Sequence, residues 1–523
     1  MNDHKLSTQS KIIILTAVLA SLLEIIDTSI VNVAIPTMMG NLGATLENIS
    51  WVVTGYIIAN AIVLPIAGWM GVQIGRRKYY VGCILLFTGT SVLCGLAPNL
   101  PVLIVFRIIQ GFAGGALLPT SQALIQEQFP REKAGVASAI YGMSVMIGPT
   151  LGPTLGGYLT DNFGWRSIFN INLPLGLFAA FMAYLNVTDI QTGNTGLRKS
   201  KVDLIGLGLL SVSIGCLQYV LERGQADEWF DSKVILTCSI LAALAIPAFI
   251  YWELRVPHPV VDLKLFKETP VLRSGSLLMM GVGCVLYGLV FILPIFVSVM
   301  FGYTATQTGI LFIPGALITA MCMPFVGAQT RKRDPRLLIF VGILITECSI
   351  MMMTQFNALS SEGDLLVPLL VRGLGLAFLF VPINGAVLSQ FSGAALGQAA
   401  GILNLSRQVG GSIGIAVLSV LLDRRNAENY LRLVEHVSLL ERNTVEAIRG
   451  SAHAMSNSME SFVGLTNATQ AALKALSFRV QKQVFALSVQ QLLFTLVIIF
   501  GLALIPLVFL KGDKKPTGPI DAH

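Results

Sequence analysis

About 14 apolar segments, each roughly 20 residues long, follow one another along this 523-residue chain. A helix of that length crosses the hydrocarbon core of a bilayer, whereas a membrane β-barrel shows alternating segments of about ten residues. Hydrophobic residues make up 54% of the chain and charged residues 12%, against about 25% charged residues in soluble domains. The sequence therefore predicts an all-α integral membrane protein with 14 transmembrane helices.

Lysine and arginine residues collect in alternate loops, for example at 76–78, 198–201 and 331–333. The loops on the other side of the predicted membrane carry few basic residues. Because basic loops stay in the cytoplasm, we expect both termini there, as an even number of helices also requires. The same loops account for the net charge of +7, which we therefore do not interpret as a sign of nucleic-acid binding.

The chain repeats internally, with an offset of roughly 260 residues that is typical of transporters. PIAG followed by GRRK matches PFVG followed by RKRD, and VFRIIQG, which contains Arg107, matches LVRGLG, which contains Arg372. We therefore predict a six-helix bundle at 1–190, a two-helix insert at 191–262 and a second six-helix bundle at 263–523. The insert has no counterpart in the repeat, so we interpret it as a structural spacer.

Two acids, Glu24 and Asp27, interrupt the first apolar segment. An ionised carboxylate at that depth costs about 2.5–3.5 kcal/mol on insertion scales, so the acids must face a protein or water-filled interior. They are three residues apart and therefore share one face of a helix. A carboxyl group held there binds a proton more readily than in water and can exchange it for a cation. We predict Asp27 as the proton carrier and Glu24 as the second choice; a purely structural pairing is the alternative.

Polar side chains also interrupt later apolar segments. Arg107 shares a helix face with Gln110 and needs an acidic or carbonyl partner, so we expect it either to tune a nearby acid or to form a static ion pair. The side chains predicted to line a substrate cavity are Asn32, Gln110, Glu347, Arg372, Asn404, Arg407 and Gln408.

A run of glycines and prolines at 142–157 is the most specific pattern in the chain. Glycines spaced four residues apart form a seam for close helix contact, and prolines within a helix bend it. We expect this helix to form a rocking interface between the two halves, assisted by the glycine-rich basic turn at 68–78. The residues assigned to conformational change are Gly68, Gly75, Arg76, Arg77, Gly148, Pro149, Gly152, Pro153, Gly156 and Gly157.

One long segment at 423–488 is too polar to cross the membrane, and its apolar residues recur at helical spacing. We expect a helical hairpin outside the membrane, which serves either as a docking surface or as a lid. The seven cysteines lie in apolar segments without a CxxC pair, and the five histidines are scattered through tails and loops. We therefore expect no metal, no cofactor and no enzymatic activity such as lipid transfer.

These motifs resemble the major facilitator superfamily, and within it the 14-helix drug:proton antiporters of the EmrB/QacA-like group. Residues 26–36 resemble the first-helix motif of the group, and Arg107 with Gln110 resembles the fourth-helix motif implied in proton transfer. Residues 142–157 resemble the antiporter motif of the fifth helix, and 404–414 resemble a pattern of the thirteenth helix. The resemblance covers nearly the whole chain.

The resemblance implies a major facilitator fold with two six-helix halves plus two inserted helices. It implies multidrug efflux driven by the proton gradient, with export of amphipathic compounds across a bacterial inner membrane and a role in antibiotic resistance. It also implies docking of a periplasmic adaptor and an outer-membrane channel through 423–488. Proton-coupled transport of a specific metabolite or lipid-like substrate is the alternative function.

Overall fold

The computed structural model describes residues 6–189, 203–357, 360–435, 445–446, 448 and 465–510. Within these ranges the regular elements are helices, and 14 of them are long and apolar enough to cross a membrane. The predicted all-α fold with 14 spans is therefore confirmed.

The spanning helices fall into two groups of six with two helices between them. The first half contains α1 (Thr8–Leu42), α2 (Leu46–Ile74), α3 (Arg76–Gly95), α4 (Leu100–Glu127), α5 (Arg131–Phe163) and α6 (Ser167–Asn186). The insert contains α7 (Leu204–Arg223) and α8 (Lys233–Glu253). The second half contains α9 (Pro270–Phe301), α10 (Thr306–Gln329), α11 (Pro335–Met353), α12 (Gly363–Leu388), α13 (Gly393–Glu435) and α14 (Gln470–Phe509).

The sequence marks many of the helix ends with capping residues. Ser7 precedes α1 and accepts a hydrogen bond from the Ser10 backbone N–H at 3.0 Å, and Gly43 ends the helix with φ +59°. Asn99 caps α4 through the Val102 backbone N–H at 3.1 Å. These side chains satisfy backbone groups that a helix end leaves unpaired, so the turns between spans are fixed locally.

The two halves meet along α5, which packs on α10 and α12, and along α13, which packs on α2 and α4. We call the membrane side at which α1 begins the N-terminal face. At this face, glycines of one half lie against glycines of the other half. A methyl group on Gly397 would lie 3.0 Å from Gly68 Cα, and one on Gly327 would lie 2.7 Å from Gly135 O. The halves are therefore closed against each other at the N-terminal face.

The inserted helix α7 bonds to both halves. Its Arg223 Nη1 donates to Glu47 O in the first half at 3.2 Å. Its Gln218 Nε2 donates to Ser412 Oγ on α13 at 2.7 Å, and that hydroxyl donates to Glu222 Oε1 at 2.7 Å. The interpretation of the insert as a spacer is therefore incomplete, because α7 is hydrogen-bonded to both bundles.

The hairpin predicted at 423–488 continues from two spanning helices. α13 has 43 residues and is about 64 Å long at 1.5 Å per residue, against about 30 Å for a bilayer core. The returning helix begins at Leu465 and joins α14. Asn429 Nδ2 ties the two arms together by donating to Ser488 Oγ at 3.0 Å. The tip of the predicted hairpin at 436–464 lies outside the described residues, apart from 445–446 and 448.

Candidate functional site

Asp27 lies near the centre of α1 and is 1% exposed. Its Oδ2 forms an ion pair with Arg107 Nη1 on α4. Its Oδ1 accepts hydrogen bonds from Gln110 Nε2 at 2.9 Å and from Asn172 Nδ2 on α6 at 2.8 Å. Both carboxylate oxygens are therefore compensated by donors from two other helices.

Arg107 is held as firmly as its partner. Its Nε donates to Val52 O at 3.1 Å, its Nη1 also donates to Gln110 Oε1 at 2.8 Å, and its guanidinium lies 4.2 Å from the centroid of the Tyr56 ring. The sequence predicts Asp27 as the first choice of proton carrier, and that role stays a prediction, but in this geometry Asp27 forms the ion pair with Arg107 that is the alternative. The reason is that Asn172 and Val52 complete a network that the sequence does not bring together.

Glu24, one turn earlier on the same helix, has a different environment. Its Oε1 accepts a hydrogen bond from Asn60 Nδ2 at 2.9 Å, while its Oε2 is buried and has no hydrogen-bond partner among the described residues. The residue is 4% exposed. A charged carboxylate with one bare oxygen is costly in such a place, and a protonated carboxyl group costs less. Glu24 is therefore the acid whose surroundings suit a change of protonation.

Arg407, on α13 in the second half, is the cation that complements Glu24. Its Nη2 donates to Asn404 Oδ1 at 3.0 Å, but its Nε and Nη1 are buried without a partner in the part of the chain that the structure describes. Glu24 interacts electrostatically with Arg407 across the boundary between the halves. The described ion pairs do not include these two residues.

A chain of buried amides and one phenol joins the halves beside these charges. Gln122 Nε2 donates to Asn384 Oδ1 at 2.7 Å, and Asn404 Nδ2 donates to Gln122 Oε1 at 2.7 Å. Tyr141 OH donates to Asn404 Oδ1 at 3.0 Å. Gln408 Nε2 adds a bond to Ile57 O at 3.1 Å. The cross-half contact is thus polar at its centre, unlike the glycine contacts at the N-terminal face.

A family model described as Major Facilitator Superfamily matches residues 17–415, which is most of the chain. The chain belongs to the Major Facilitator Superfamily. The predicted resemblance is therefore confirmed, and the protein is a multi-pass membrane transporter of that superfamily.

Curated relatives of this major facilitator protein align over most of both chains. The fatty acid resistance protein FarB of Neisseria gonorrhoeae is 35% identical over 420 residues, covering 80% of this chain and 82% of FarB. The multidrug export protein EmrB of Escherichia coli (strain K12) is 33% identical over 446 residues, covering 85% of this chain and 86% of EmrB.

Two solved structures share the fold of this chain. The human organic anion transporter MFSD10 has a TM-score of 0.60 at 13% identity and covers 96% of this chain and 99% of its own. The proton:xylose symporter XylE has a TM-score of 0.58 at 16% identity and covers 80% of this chain and 90% of its own. At these identities the likeness is one of major facilitator fold alone.

In this major facilitator protein, Gly148, Gly152 and Gly156 pack on α1, within the first half. An added Cβ on Gly148 would overlap Ile25, one on Gly152 would overlap Ser29, and one on Gly156 would overlap Ile30. The face with four-residue spacing therefore lies against the helix that carries the two acids. Helix α5 also packs on the second half, and its predicted role as a rocking interface between the halves stays a prediction. Pro149 and Pro153 are inside the continuous α5 helix.

The same helix touches the second half by a different edge. A Cβ on Gly157 would overlap Thr306 Oγ1, and one on Gly309 would lie 3.2 Å from Pro153 Cβ. Helix α5 is therefore packed between α1 and α10. A shift of α1 or of the second half would change the packing of α5.

The basic turn at 68–78 is tied mainly to its own half. Gly75 has φ +97°, a conformation that favours glycine. Arg76 forms an ion pair with Glu127, and the Arg77 backbone N–H donates to Asp189 Oδ1 at 3.0 Å. Gly68, in contrast, meets the second half at Gly397. Glu127 and Asp189 thus supply the acids that pair with this basic turn.

Four of the seven predicted cavity residues fall into two sets. Gln110 bonds to the Asp27–Arg107 pair, and Asn404, Arg407 and Gln408 belong to the polar contact between the halves.

The other three predicted cavity residues lie outside that polar contact, and their place in a substrate cavity stays a prediction. Asn32 is exposed, and Glu347 is half-buried on α11, where a Cβ on Gly501 of α14 would lie 3.3 Å from its Oε1. Arg372 is half-buried on α12, beside the ring of Phe312.

Several site residues escape the sequence interpretation: Asn60, Gln122, Tyr141, Asn172 and Asn384. All are buried polar side chains within spanning helices. The cost of burying a polar side chain in hydrocarbon could have indicated them, because it applies to asparagine and glutamine as well as to charged residues.

Proposed function

We propose that this protein is a proton-coupled multidrug efflux transporter that exports amphipathic hydrophobic compounds by alternating access. Relatives named for multidrug export and for fatty acid resistance support this function. The observation that carries the proton coupling is the buried Glu24 carboxyl group, whose Oε2 has no partner among the described residues. Membership of a transporter superfamily argues against an enzyme.

In this proposal Glu24 carries the proton, and Asp27 is the fixed partner of Arg107. Loss of the proton leaves a negative charge on Glu24 near the incompletely bonded Arg407 of the other half. That attraction favours one arrangement of the halves, and protonation of Glu24 removes it. Substrate and proton then compete, because each stabilises a different arrangement.

The proposed location is the inner membrane of a Gram-negative bacterium, with both termini in the cytoplasm. The basic loops support this orientation through the positive-inside rule. The N-terminal face is then the cytoplasmic face, and the glycine contacts there belong to a state closed to the cytoplasm. The energy source in this proposal is the proton gradient, without a cofactor.

We further propose that the hairpin at 423–488 docks a periplasmic adaptor, and through it an outer-membrane channel. The length of α13 supports this, because its outer part extends well beyond a bilayer core. A lid over the protein's own mouth is the competing role for the same segment.

The test is uptake of ethidium into vesicles that contain the purified protein and are more acidic inside than outside. The wild-type protein should accumulate ethidium when the gradient is imposed, and Glu24→Gln should abolish that accumulation. Asp161→Asn is the matched control, because Asp161 is an exposed acid at the end of α5 in the same half. Uptake by Glu24→Gln at the wild-type rate would reject Glu24 as the proton carrier.

A further inference from the structure

Arg372 occupies the position in the second half that Arg107 occupies in the first, because LVRGLG repeats VFRIIQG. The surroundings of the two arginines differ. Arg107 has an aspartate, a glutamine and a backbone carbonyl as partners. Arg372 has neither an ion pair nor a hydrogen bond to any described residue, and its Nε is buried and unbonded.

The repeat explains why the acidic partner is missing. VAIP at 33–36 matches FILP at 291–294, so Glu24 and Asp27 correspond to Val282 and Val285 on α9. Both valines are 1% exposed and belong to the apolar core. The second half has therefore kept the arginine of this site while its two carboxylates are replaced by apolar side chains.

The charge of the Arg372 guanidinium is not compensated by an anion or a hydrogen-bond acceptor among the described residues. Arginine stays protonated in proteins, and a charge within a membrane span is costly unless an anion or a set of acceptors compensates it. Within the described ranges, the Arg372 guanidinium lies against the ring of Phe312, 5.7 Å from its centroid. The residue is half-buried, so part of it remains open to a partner from outside the protein.

The neighbourhood of Arg372 is apolar and lies close to the boundary between the halves. Phe312 is on α10 one turn after Gly309, which packs against Thr154 of α5 in the first half. Behind Arg372, Gly373 of α12 lies against Gly315 of α10, so the two helices are in close contact there. A cation bordered by an aromatic ring and apolar helices matches a ligand with an anionic head and an apolar chain.

We propose that Arg372 binds the anionic head group, such as a carboxylate, of an amphipathic substrate, whose apolar chain lies against Phe312. A guanidinium offers parallel N–H groups that suit a carboxylate. This inference rests on the proposed export function and assigns Arg372 to the anionic amphiphiles among its substrates; a cation such as ethidium does not require Arg372. The proton site at Glu24 is in the other half, so recognition of the anion and exchange of the proton use different residues.

The test compares binding of decanoate and of methyl decanoate, which differ in charge at the head group, to the full-length protein in phosphatidylcholine nanodiscs. Titration calorimetry of Arg372→Gln should show decanoate binding weakened about tenfold or more, as expected for a lost charge-assisted hydrogen bond, with binding of the ester little changed. Arg372→Lys should retain part of the preference for decanoate. Arg273→Gln, an exposed arginine at the start of α9, is the control for loss of charge and should bind both compounds as wild type does.

Equal affinity of wild type and Arg372→Gln for decanoate would overturn the proposal, as would an equal loss for decanoate and ester. A second arm measures decanoate binding in nanodiscs that contain phosphatidylglycerol. If this lipid lowers decanoate binding to wild type but not to Arg372→Gln, the site holds a lipid phosphate and the substrate assignment fails. Size-exclusion profiles of Arg372→Gln and Arg372→Lys confirm that both are folded. If wild type shows no ethidium uptake driven by a proton gradient but decanoate still requires Arg372, the export function fails and the anion site stands.

Discussion

Replacing Asp27 with asparagine removes one member of a buried ion pair and leaves Arg107 charged in the same place. Arg107 and Asp27 are each 1% exposed, so water cannot take over the role of the lost carboxylate. Gln110 and Asn172 can still donate to the carbonyl oxygen of the new side chain, but the Arg107 N–H loses its anionic acceptor. Removing one partner of a buried pair costs about 3–5 kcal/mol, and we expect a loss of stability of that size.

The assay is unfolding of the purified protein in detergent, followed for Asp27→Asn, Arg107→Gln and the double variant. The double variant should be more stable than Asp27→Asn, because it no longer contains an unpaired buried charge. The folded fraction of Asp27→Asn should keep uptake of ethidium that depends on the proton gradient. A variant that is as stable as wild type but has lost coupling to protons would refute the structural role of Asp27.

Three further predictions concern the conformational parts of the molecule. Gly148→Leu places a side chain into Ile25 of α1, so it should lower stability by about 1–3 kcal/mol and stop ethidium uptake. Gly89→Leu is the control and should do neither, because there is open space where its Cβ would lie. Normal turnover of Gly148→Leu would show that the glycine seam serves packing alone. Gly327→Val should push Gly327 and Gly135 apart at the N-terminal face, so it should increase labelling of cysteines introduced at the start of α5 and the end of α10. Unchanged labelling would contradict closure at that face. Deletion of 436–464 should spare uptake into vesicles and abolish drug resistance of whole cells, and loss of both would favour a lid.

The positions of the spanning helices can be predicted because the length and polarity of an apolar segment are local properties. The segment around Glu24 and Asp27 is recognisable for the same reason, since a charge in hydrocarbon is conspicuous in one dimension. The partners of these acids are not predictable in this way. Asp27 meets Arg107 and Asn172 across sequence separations of 80 and 145 residues, and only the packing of α1, α4 and α6 brings them together.

The glycine seam illustrates a second limit of a one-dimensional pattern. The four-residue spacing of Gly148, Gly152 and Gly156 correctly marks a face of close helix contact. It does not specify which helix lies on that face, and α1 and α10 both pack on α5.

The role of α7 is hidden from the sequence for a related reason. Gln218 and Arg223 look like ordinary polar residues near a helix end until Ser412 and Glu47 are placed beside them. Those partners come from segments far away in the chain, so the bonds of α7 to both halves depend on the assembled fold.

The most direct test of the proposed mechanism is proton release from purified protein when ethidium is added in weakly buffered solution. Because Glu24 carries the proton in this mechanism, wild type and folded Asp27→Asn should both release protons on binding, and Glu24→Gln should release none. Proton release by Glu24→Gln that equals the wild-type value, together with its loss in Asp27→Asn, would contradict the assignment and return the role to Asp27.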